Sequence, residues 1–389
     1  MTDAAERAAW ITLAGVDGVG PAHFAALVGQ AGGARAVLDL ARRGALDDLS
    51  AGRRLSRGVR SAIGTAARDP GQAQEELDHC GVWTLTPLEA AYPPGLQVLA
   101  DPPPVLYGKG DPTTLARTRR VSVVGTRRPS ALGRALAAAI ARQLVQLDAV
   151  VVSGLAFGID GAAQAATVAA GGVTVGVIGS GHQRPGPRAH ADLVRDILVR
   201  GAVVGELAPH ARPSRGTFPR RNRLLSALSL AVIVVEAPTR SGAVNTAHHA
   251  LEQGRLLLVV PGRPGDRLTA GCLRLLRETE ARPVVGLDEL VADLAELWPA
   301  APPDPLGSPP ARPAVPALSW AEALTLLGPA ERAVARVVGA GPAGLDRVIA
   351  STGLAPATAA SAATVLQLRG WVTLVGATYV AAGPLARPP

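Results

Sequence analysis

The chain has 389 residues, of which 48% are hydrophobic, and its formal net charge is +8 at pH 7. This length predicts two or three domains, and this apolar content argues against extensive disorder. No apolar run reaches the roughly 18 residues that a membrane span needs, and residues 1–10 lack the apolar core of a signal peptide, so we expect a cytoplasmic protein.

Residues 1–75 are predicted to form a small helical domain. Apolar residues recur at helical spacing on both sides of the Gly-rich segment Asp-Gly-Val-Gly-Pro at 17–21. This segment is similar to a helix-hairpin-helix (SAM-like) turn, whose backbone amides can face a DNA phosphate. A plain helical packing module explains the same pattern, and both interpretations stay open.

Residues 76–297 alternate between short, apolar, β-branched runs and helical segments. Strands this apolar are expected to be buried on both faces, and their alternation with helices predicts an α/β fold with a mostly parallel, doubly wound sheet. The predicted strands are 121–124, 150–152, 173–178, 203–204, 231–235, 256–260 and 283–285, and the clearest helices are 131–147, 162–170, 220–228 and 243–253.

Eight prolines between residues 299 and 316 predict a stiff linker over 298–319. Beyond it, residues 320–389 contain helix-like segments at 331–338, 345–351 and 357–368, then strand-like segments near 372–375 and 378–380. This order predicts a winged-helix-like domain. Its presumed recognition helix, residues 356–369, is nearly uncharged, which argues against strong duplex binding, because phosphate contacts supply most of the affinity. A role in protein contacts fits this helix at least as well.

Arginine is concentrated in two stretches of the chain. Between Asp111 and Asp148 there are seven arginines and no acid, which gives +7, and from His182 to Arg223 nine arginines accompany three acids, which gives +6. The remainder of the chain is therefore net −5, since the total is +8. An Arg-rich composition alone would spread the charge more evenly, whereas a concentrated basic surface is typical of proteins that bind a polyanion.

Four predicted strands end in loops that contain Gly, Ser or Asn and lead into helices. Because ligands bind at the carboxyl ends of strands in open α/β sheets, and helix N-termini favour anions, these loops together predict a phosphate-lined groove. Each loop alone could be an ordinary tight turn. The candidate binding residues in these loops are Gly125, Thr126, Arg127, Ser153, Gly154, Gly158, Gly179, Gly181, Ser241, Gly242 and Thr246.

The sequence of residues 218–223 is Phe-Pro-Arg-Arg-Asn-Arg, at the start of a predicted helix. Arginines can neutralise a phosphate backbone while an aromatic ring stacks on a base, which is the combination that single-stranded nucleic acid requires. A solvated helix start with Phe218 packed into the core explains the segment about equally well. The binding interpretation adds Phe218, Arg220, Arg221, Asn222 and Arg223 to the candidate site.

Several motifs of enzymes and metal sites are absent from the sequence. It contains no GxxxxGK[ST] loop, no GxGxxG after the first predicted strand of the sheet, and no cluster of Asp, Glu and His with metal-ligand spacing. Cys80 and Cys272 form no CxxC pair and predict no disulfide framework. Asp160 and Glu236 stand at strand ends and could be catalytic, although helix caps or partners of arginines fit them better. We therefore expect no enzyme activity, no cofactor and no metal.

Short motifs follow one another between about residue 92 and residue 290. They are Tyr-Pro at 92–93, Pro-Val-Leu-Tyr at 104–107, Val-Gly-Thr-Arg at 124–127, Ser-Gly-Leu-Ala at 153–156, Gly-Ile-Asp at 158–160, Phe-Pro at 218–219, Arg-Asn-Arg at 221–223, Val-Glu-Ala at 235–237, Ser-Gly at 241–242 and Pro-Gly at 261–262. With these motifs in this order, the segment resembles the DprA/Smf family. The chain departs from that family at Gln164, where a His is frequent after Gly-Ile-Asp.

The resemblance implies an extended Rossmann-like core that binds single-stranded DNA, a homodimer, and the RecA recombinase as functional partner. It also implies protection of incoming strands and recombinase loading in natural transformation, without catalysis. By motif match, Arg127 and residues 218–223 would lie in the DNA-binding pocket. Two other hypotheses stay open: a nucleotide-processing enzyme of the lysine-decarboxylase-like type, and an interaction scaffold whose arginines are only solvated surface.

Overall fold

The computed structural model describes residues 3–211, 216–298, 319–375 and 378–386. The predicted linker, 298–319, lies almost entirely outside these ranges. Two arginines of the second basic stretch, Arg212 and Arg215, also lie outside them.

The N-terminal part is a group of short helices around its own apolar core, which includes Leu13, Phe24 and Leu27. The predicted boundary at residue 75 falls within the sixth helix. This unit is fastened to the following domain by Arg7, which donates to the side chains of Glu89 and Thr84. The helices are α1 (Ala4–Ala14), α2 (Pro21–Ala31), α3 (Ala34–Arg42), α4 (Ser50–Arg53), α5 (Arg57–Ala66) and α6 (Gln72–His79).

The central part is built on a nine-stranded sheet with the order β1-β2-β6-β5-β4-β3-β7-β8-β9. Strands β3 to β9 are parallel, and the antiparallel pair β1–β2 extends the sheet beyond β6. The strands are β1 (Trp83–Leu85), β2 (Leu106–Gly110), β3 (Arg120–Val124), β4 (Val150–Ser153), β5 (Thr174–Ile178), β6 (Ala202–Gly205), β7 (Ala231–Val234), β8 (Leu256–Val259) and β9 (Arg282–Pro283).

Helices cover both faces of this sheet, because successive residues of each buried strand point to opposite sides. Val150 and Val152 belong to one core cluster, whereas Val151 between them belongs to the other. This confirms the predicted α/β, Rossmann-like fold with a mostly parallel, doubly wound sheet. The helices are α7 (Pro94–Gln97), α8 (Ala131–Gln146), α9 (Ile159–Ala169), α10 (Ala191–Arg200), α11 (Thr217–Ala227), α12 (Gly242–Glu252), α13 (Ala270–Glu278) and α14 (Leu287–Ala295).

The C-terminal part combines four helices with a three-stranded antiparallel sheet of order β10-β12-β11. Its identification as a winged helix stays a prediction. Helix α18, the predicted recognition helix, packs against α8 of the central part, and Leu368 is buried in the core cluster under α8. The elements are α15 (Trp320–Thr325), α16 (Pro329–Gly339), β10 (Ala343–Gly344), α17 (Leu345–Thr352), α18 (Pro356–Leu368), β11 (Val372–Val375) and β12 (Thr378–Ala381).

Within the described ranges, no single helix is both long and apolar enough to cross a membrane. Only α17 and α18 taken together reach that length and hydropathy, and they are bent by 114° relative to each other.

The first basic stretch does not form one surface, which corrects the inference from its charge alone. Residues 112–147 include all of β3 and α8, so the stretch has arginines at both the amino ends and the carboxyl ends of the strands. Arg117 lies at the amino end of β3, where it pairs with Asp148, and Arg120 donates to backbone carbonyls there. Arg127 and Arg128 follow the carboxyl end of β3 and are exposed.

Candidate nucleic-acid interface

The four candidate loops follow four strands that are direct neighbours in the sheet. They begin after the carboxyl ends of β5, β4, β3 and β7, in this spatial order. The chain runs from β3 to β6 on one side and from β7 to β9 on the other, so the order reverses between β3 and β7. Such a switch point is where open α/β sheets place their ligands. The structure therefore brings together the loops that the sequence singled out.

The first turns of α11 lie across these loops. Phe218 packs beside Gly179 of the β5 loop, and Arg221 packs against Gly154 of the β4 loop. Asn222 Nδ2 donates to the backbone oxygen of Gly242, 3.1 Å away, in the β7 loop. One helix thus contacts three of the four loops, those after β5, β4 and β7.

Arg127 and Phe218 form an exposed pair above the loops. The Arg127 guanidinium carbon lies 5.5 Å from the centroid of the Phe218 ring. Phe218 is 38% exposed, and Arg127 is also exposed. The predicted alternative, in which Phe218 is buried as part of the core, is therefore not what the structure contains. A positive charge beside an accessible aromatic face can serve a phosphate and a base at the same time.

Arg221 is the most unusual charged group of the site. Its residue is only 4% exposed, and among the described residues its Nε and Nη1 atoms have no hydrogen-bond partner. Burial lowers the pKa of Arg221, and the nearby Asp160 carboxylate opposes this effect. Buried donors are normally hydrogen-bonded, because an unpaired one costs about 1–3 kcal/mol. Both atoms are closed off from solvent, so an anion reaches them only after the Arg221 side chain shifts.

Asp160 packs against Gly154 beside Arg221 and is the electrostatic partner of Arg221. Its Oδ2 accepts a hydrogen bond of 3.1 Å from the Gly154 amide. Burial raises the pKa of Asp160 to about 6, against the lowering effects of the Arg221 charge and of the Gly154 amide. Gly154 must be a glycine for this arrangement, because a Cβ would clash with Arg221 Nη1 and lie 2.5 Å from Asp160 Oδ2.

Arg223 and Arg220 have partners inside the protein. Arg223 pairs with Glu206 at 2.7 Å and with Asp101 at 2.8 Å, and its side chain is 7% exposed. Burial alone would lower the pKa of Arg223, but these carboxylates outweigh it and raise the pKa. Arg220 is more loosely held by the same acids, at 3.5 and 3.7 Å, with 39% of its side chain exposed. Arg223 therefore anchors α11, while Arg220 retains accessible surface.

The hydroxyl groups of the predicted site are mostly engaged in local structure. Ser153 Oγ donates to the Val123 oxygen at 2.6 Å, and Thr246 Oγ1 donates to the Gly242 oxygen at 3.0 Å. Ser241 caps α12, where its Oγ accepts from the Val244 amide. Thr126 is also buried, with its amide donating to the Glu236 oxygen.

The glycines of the loops permit close contacts between protein segments. A Cβ at Gly125 would lie 2.8 Å from Ile159 Cβ, and one at Gly181 would clash with the Pro209 oxygen. Gly158 has a φ of +86°, and a Cβ there would lie 2.7 Å from the Arg127 carbonyl carbon. At Gly125 the space that a Cβ would take is filled by Ile159, so this glycine allows close packing of the β3 loop against α9.

The two acids that the sequence left as possible catalysts have structural partners. Glu236 accepts from the amide of Ser130, at 2.9 Å, and from its hydroxyl, so it supports the residue that caps α8. Asp160 pairs electrostatically with Arg221 as described above. In the part of the chain that the structure describes, no group of three His, Cys, Asp or Glu side chains is placed to hold a metal ion.

Phe157 is a feature of this edge that the sequence reasoning did not single out. It stands in the β4 loop, is 49% exposed, and its ring contacts that of His190 at a centroid distance of 5.0 Å. The available signal was compositional: the chain has only three phenylalanines, and Phe157 lies inside one of the glycine-containing loops.

Comparison with known proteins agrees with this architecture. A family model described as DNA recombination-mediator protein A matches residues 83–295. A relative from Mycobacterium tuberculosis, whose name includes DprA, is 36% identical over 386 residues, which cover 95% of this chain and 92% of the relative. The DNA processing protein DprA of Bacillus subtilis is 37% identical over 216 residues, which are 56% of this chain and 72% of that protein.

Two solved structures have the same fold. The X-ray structure of DprA from Streptococcus pneumoniae matches with a TM-score of 0.60 and 27% identity, over 75% of this chain and 99% of that chain. DNA processing protein A from Helicobacter pylori, described with its single-stranded DNA binding mode, matches with a TM-score of 0.51 and 29% identity, over 55% of this chain and 96% of that chain. The ordered motifs, the sheet topology and these matches together show that the chain belongs to the DNA recombination-mediator protein A family, the DprA/Smf proteins.

Proposed function

We propose that this protein binds single-stranded DNA at the carboxyl edge of its central sheet, protects incoming strands, and loads the RecA recombinase onto them in natural transformation. The observation that carries the proposal is the exposed Arg127–Phe218 pair, which stands beside the β4 loop and the buried Arg221 of α11, whose Nε and Nη1 have no hydrogen-bond partner among the described residues. The homodimer and the RecA partnership rest on the family resemblance, and the solved Helicobacter pylori relative supports single-stranded DNA as the ligand.

The aromatic ring favours a single strand over a duplex. Bases are free to stack on a protein ring only when they are not already stacked and paired in a double helix. Phe218 is exposed although burying an apolar side chain of this size is normally favourable by about 1.5–3 kcal/mol. The local structure therefore maintains an accessible ring next to a charge, as a base-and-phosphate site requires.

The arginines have different roles in this proposal. Arg127 and Arg221 bind phosphates, Arg220 contributes its accessible surface, and Arg223 holds α11 in place through Glu206. Because stacking and phosphate contacts do not distinguish the four bases, binding should depend little on sequence.

A binding role without catalysis is also part of the proposal. Asp160 and Glu236, the two acids that the sequence left as possible catalysts, are already engaged with Gly154, Arg221 and Ser130. A general acid or base must reach a substrate proton within hydrogen-bond distance, and neither acid is exposed to do so. This supports the binder over the nucleotide-processing enzyme.

The test is fluorescence anisotropy of a labelled oligonucleotide, single-stranded or duplex, over a salt series. The variants are Arg127→Ala and a matched control, Arg117→Ala, which removes the same charge at the opposite edge of the sheet. We expect the wild type to prefer the single strand. We also expect Arg127→Ala to weaken binding and to lower the salt slope by about 0.7, the value for one phosphate contact with a single strand.

Two results would contradict the proposal. One is equal affinity for single and double strands, and the other is an equal loss of affinity in Arg127→Ala and Arg117→Ala, which would indicate a general effect of net charge. A screen of nucleotides for turnover would then be the next experiment. If binding is confirmed, light scattering and RecA filament assembly on coated strands test the dimer and the loading role.

A further inference from the structure

In the described part of the chain, the exposed aromatic side chains lie together at one place. Among the described residues, the exposed large hydrophobic side chains include two aromatic ones, Phe157 and Phe218, at 49% and 38% exposure. Both stand at the carboxyl edge of the central sheet. The third phenylalanine, Phe24, is 3% exposed and lies in the core of the N-terminal helices. An aromatic ring in water forgoes the stabilisation of burial, so two at one edge point to a role in binding.

Both aromatic residues lie near Arg127, Phe218 at its guanidinium and Phe157 beside the glycine that contacts its backbone. Phe218 contacts the Arg127 guanidinium through its ring. Phe157 precedes Gly158, which is packed so tightly against the backbone of Arg127 that a Cβ at Gly158 would lie 2.8 Å from the Arg127 Cα. The Ile159 amide also donates to the Thr126 oxygen, which fixes the β4 loop to the β3 loop. One aromatic residue of α11 and one of the β4 loop are thus held close to Arg127.

The β4 loop is held in a conformation that keeps Phe157 at the surface. Leu155 has a φ of +53°, which is uncommon for a residue with a side chain, and its own side chain is buried. Gln164 accepts a hydrogen bond of 3.1 Å from the Leu155 amide, and His190 Nδ1 lies 3.1 Å from the Leu155 oxygen. The same His190 supports the Phe157 ring in an edge-to-face contact. The exposed ring is therefore braced by surrounding residues and loses little freedom on binding.

From this juxtaposition we infer that Phe157 is a second base-stacking platform, which takes a base of the single strand next to the base that stacks on Phe218. This inference rests on the proposed function. In it, the Arg127 guanidinium binds the phosphodiester that connects two stacked nucleotides, and His190 keeps the Phe157 ring in place. The ligand class is an unpaired nucleotide within a strand, of any base identity.

The test separates contacts to bases from contacts to phosphates. Oligothymidylate is compared with a strand of the same length made of abasic tetrahydrofuran units, which retains the phosphates but has no bases. We expect Phe157→Leu to weaken binding of the thymidylate about tenfold, within the range of stacking contributions per base, and to leave binding of the abasic strand unchanged. Phe157→Tyr keeps the ring and should bind both strands like the wild type. Arg127→Ala should weaken both.

Each other outcome has a definite meaning. If Phe157→Leu binds the thymidylate as tightly as the wild type, or weakens both strands equally, Phe157 is no stacking platform and the inference is overturned. A thermal melt of Phe157→Leu that matches the wild type shows that the exposed substitution has not altered the fold. If the wild type binds neither strand, the proposed function itself fails, and the inference fails with it. If Phe157→Leu binds the thymidylate more weakly but Arg127→Ala does not, the two residues do not share one binding site, and the inference is also overturned.

Discussion

Arg221 gives an unusual prediction: its replacement should make the protein more stable and less able to bind DNA. Arg221→Met keeps a long side chain but removes the charge and the two buried donors that have no partner among the described residues. Each such donor costs about 1–3 kcal/mol when it is left unpaired. We expect the free energy of unfolding to rise by about 2 kcal/mol at pH 5, after allowance for imperfect packing of the methionine.

The size of this gain should depend on pH through Asp160. Its pKa in the folded protein is raised from 3.8 to about 6, so the folded state binds this proton more tightly than the unfolded state does. Its contribution to stability is therefore present at low pH and is lost as the pH rises from about 4 through 6, by roughly 3 kcal/mol in total at 1.36 kcal/mol per pKa unit.

Arg221→Met should move the pH range in which the stability contribution of Asp160 is lost to higher pH. The Arg221 charge lowers the pKa of Asp160, and its removal lets this pKa rise further. At a pH between the Asp160 pKa of the wild type and that of the variant, the folded variant still holds the proton that the folded wild type has lost. The stability of the variant relative to the wild type therefore increases as the pH falls. We expect the gain over the wild type to be largest near pH 5 and smaller at pH 8, where an ionised Asp160 would be buried without its cationic neighbour.

The assay is urea unfolding of both proteins at pH 5 and pH 8, together with single-strand binding by anisotropy at pH 8. Arg274→Met, which changes an exposed arginine on α13, is the matched control and should alter neither property much. A variant that is less stable than the wild type at both pH values, yet binds the strand equally well, would refute the reasoning. Arg221 would then be a structural residue with no share in the groove.

Two further substitutions test the surroundings of Arg221. Gly154→Ala should retain the fold but reduce single-strand affinity at least tenfold, because the new Cβ displaces Arg221 and approaches Asp160. If anisotropy shows unchanged affinity, the β4 loop is not part of the binding site. Arg223→Met should lower the free energy of unfolding by about 3 kcal/mol, since it leaves the buried Glu206 with only the looser Arg220 as a cationic partner. Arg223→Met with Glu206→Gln should recover part of the loss in urea unfolding. An additive double variant would show that the two side chains do not act as a pair.

Most strands of the central sheet could be predicted because their sequences are short, apolar and β-branched. The predicted 121–124 and 150–152 correspond to β3 and β4 within one residue at each end. In contrast, β1 and β2 contain Trp, Thr, Gly and Lys and have no such signature. They become strands by pairing with each other and with β6, which is information that resides in the tertiary structure rather than in the local sequence.

The candidate site was predictable as a set of loops but not as a set of contacts. Position at a strand end follows from the alternation of strands and helices, so Arg127 and Phe218 could be assigned to one edge of the sheet. Whether an arginine is free or paired depends on residues distant in the chain. Arg223 is bound by Asp101, which is 122 positions away in the chain. Arg117 precedes β3 and Arg127 follows it, so the two arginines lie at opposite ends of that strand.

The packing of α18 on α8 has a consequence for how the C-terminal unit can be used. A helix whose apolar side is already committed to a neighbour cannot enter the major groove of a duplex unless it first detaches, and detachment would expose Leu368 to water. DNA would compete only weakly with α8 for this helix. Helix α18 has almost no positive charge, so contacts with phosphates could not replace the lost packing on α8. The C-terminal unit therefore stiffens α8 by packing on its outer face, and the opposite face of α8 packs on the strands whose loops form the groove.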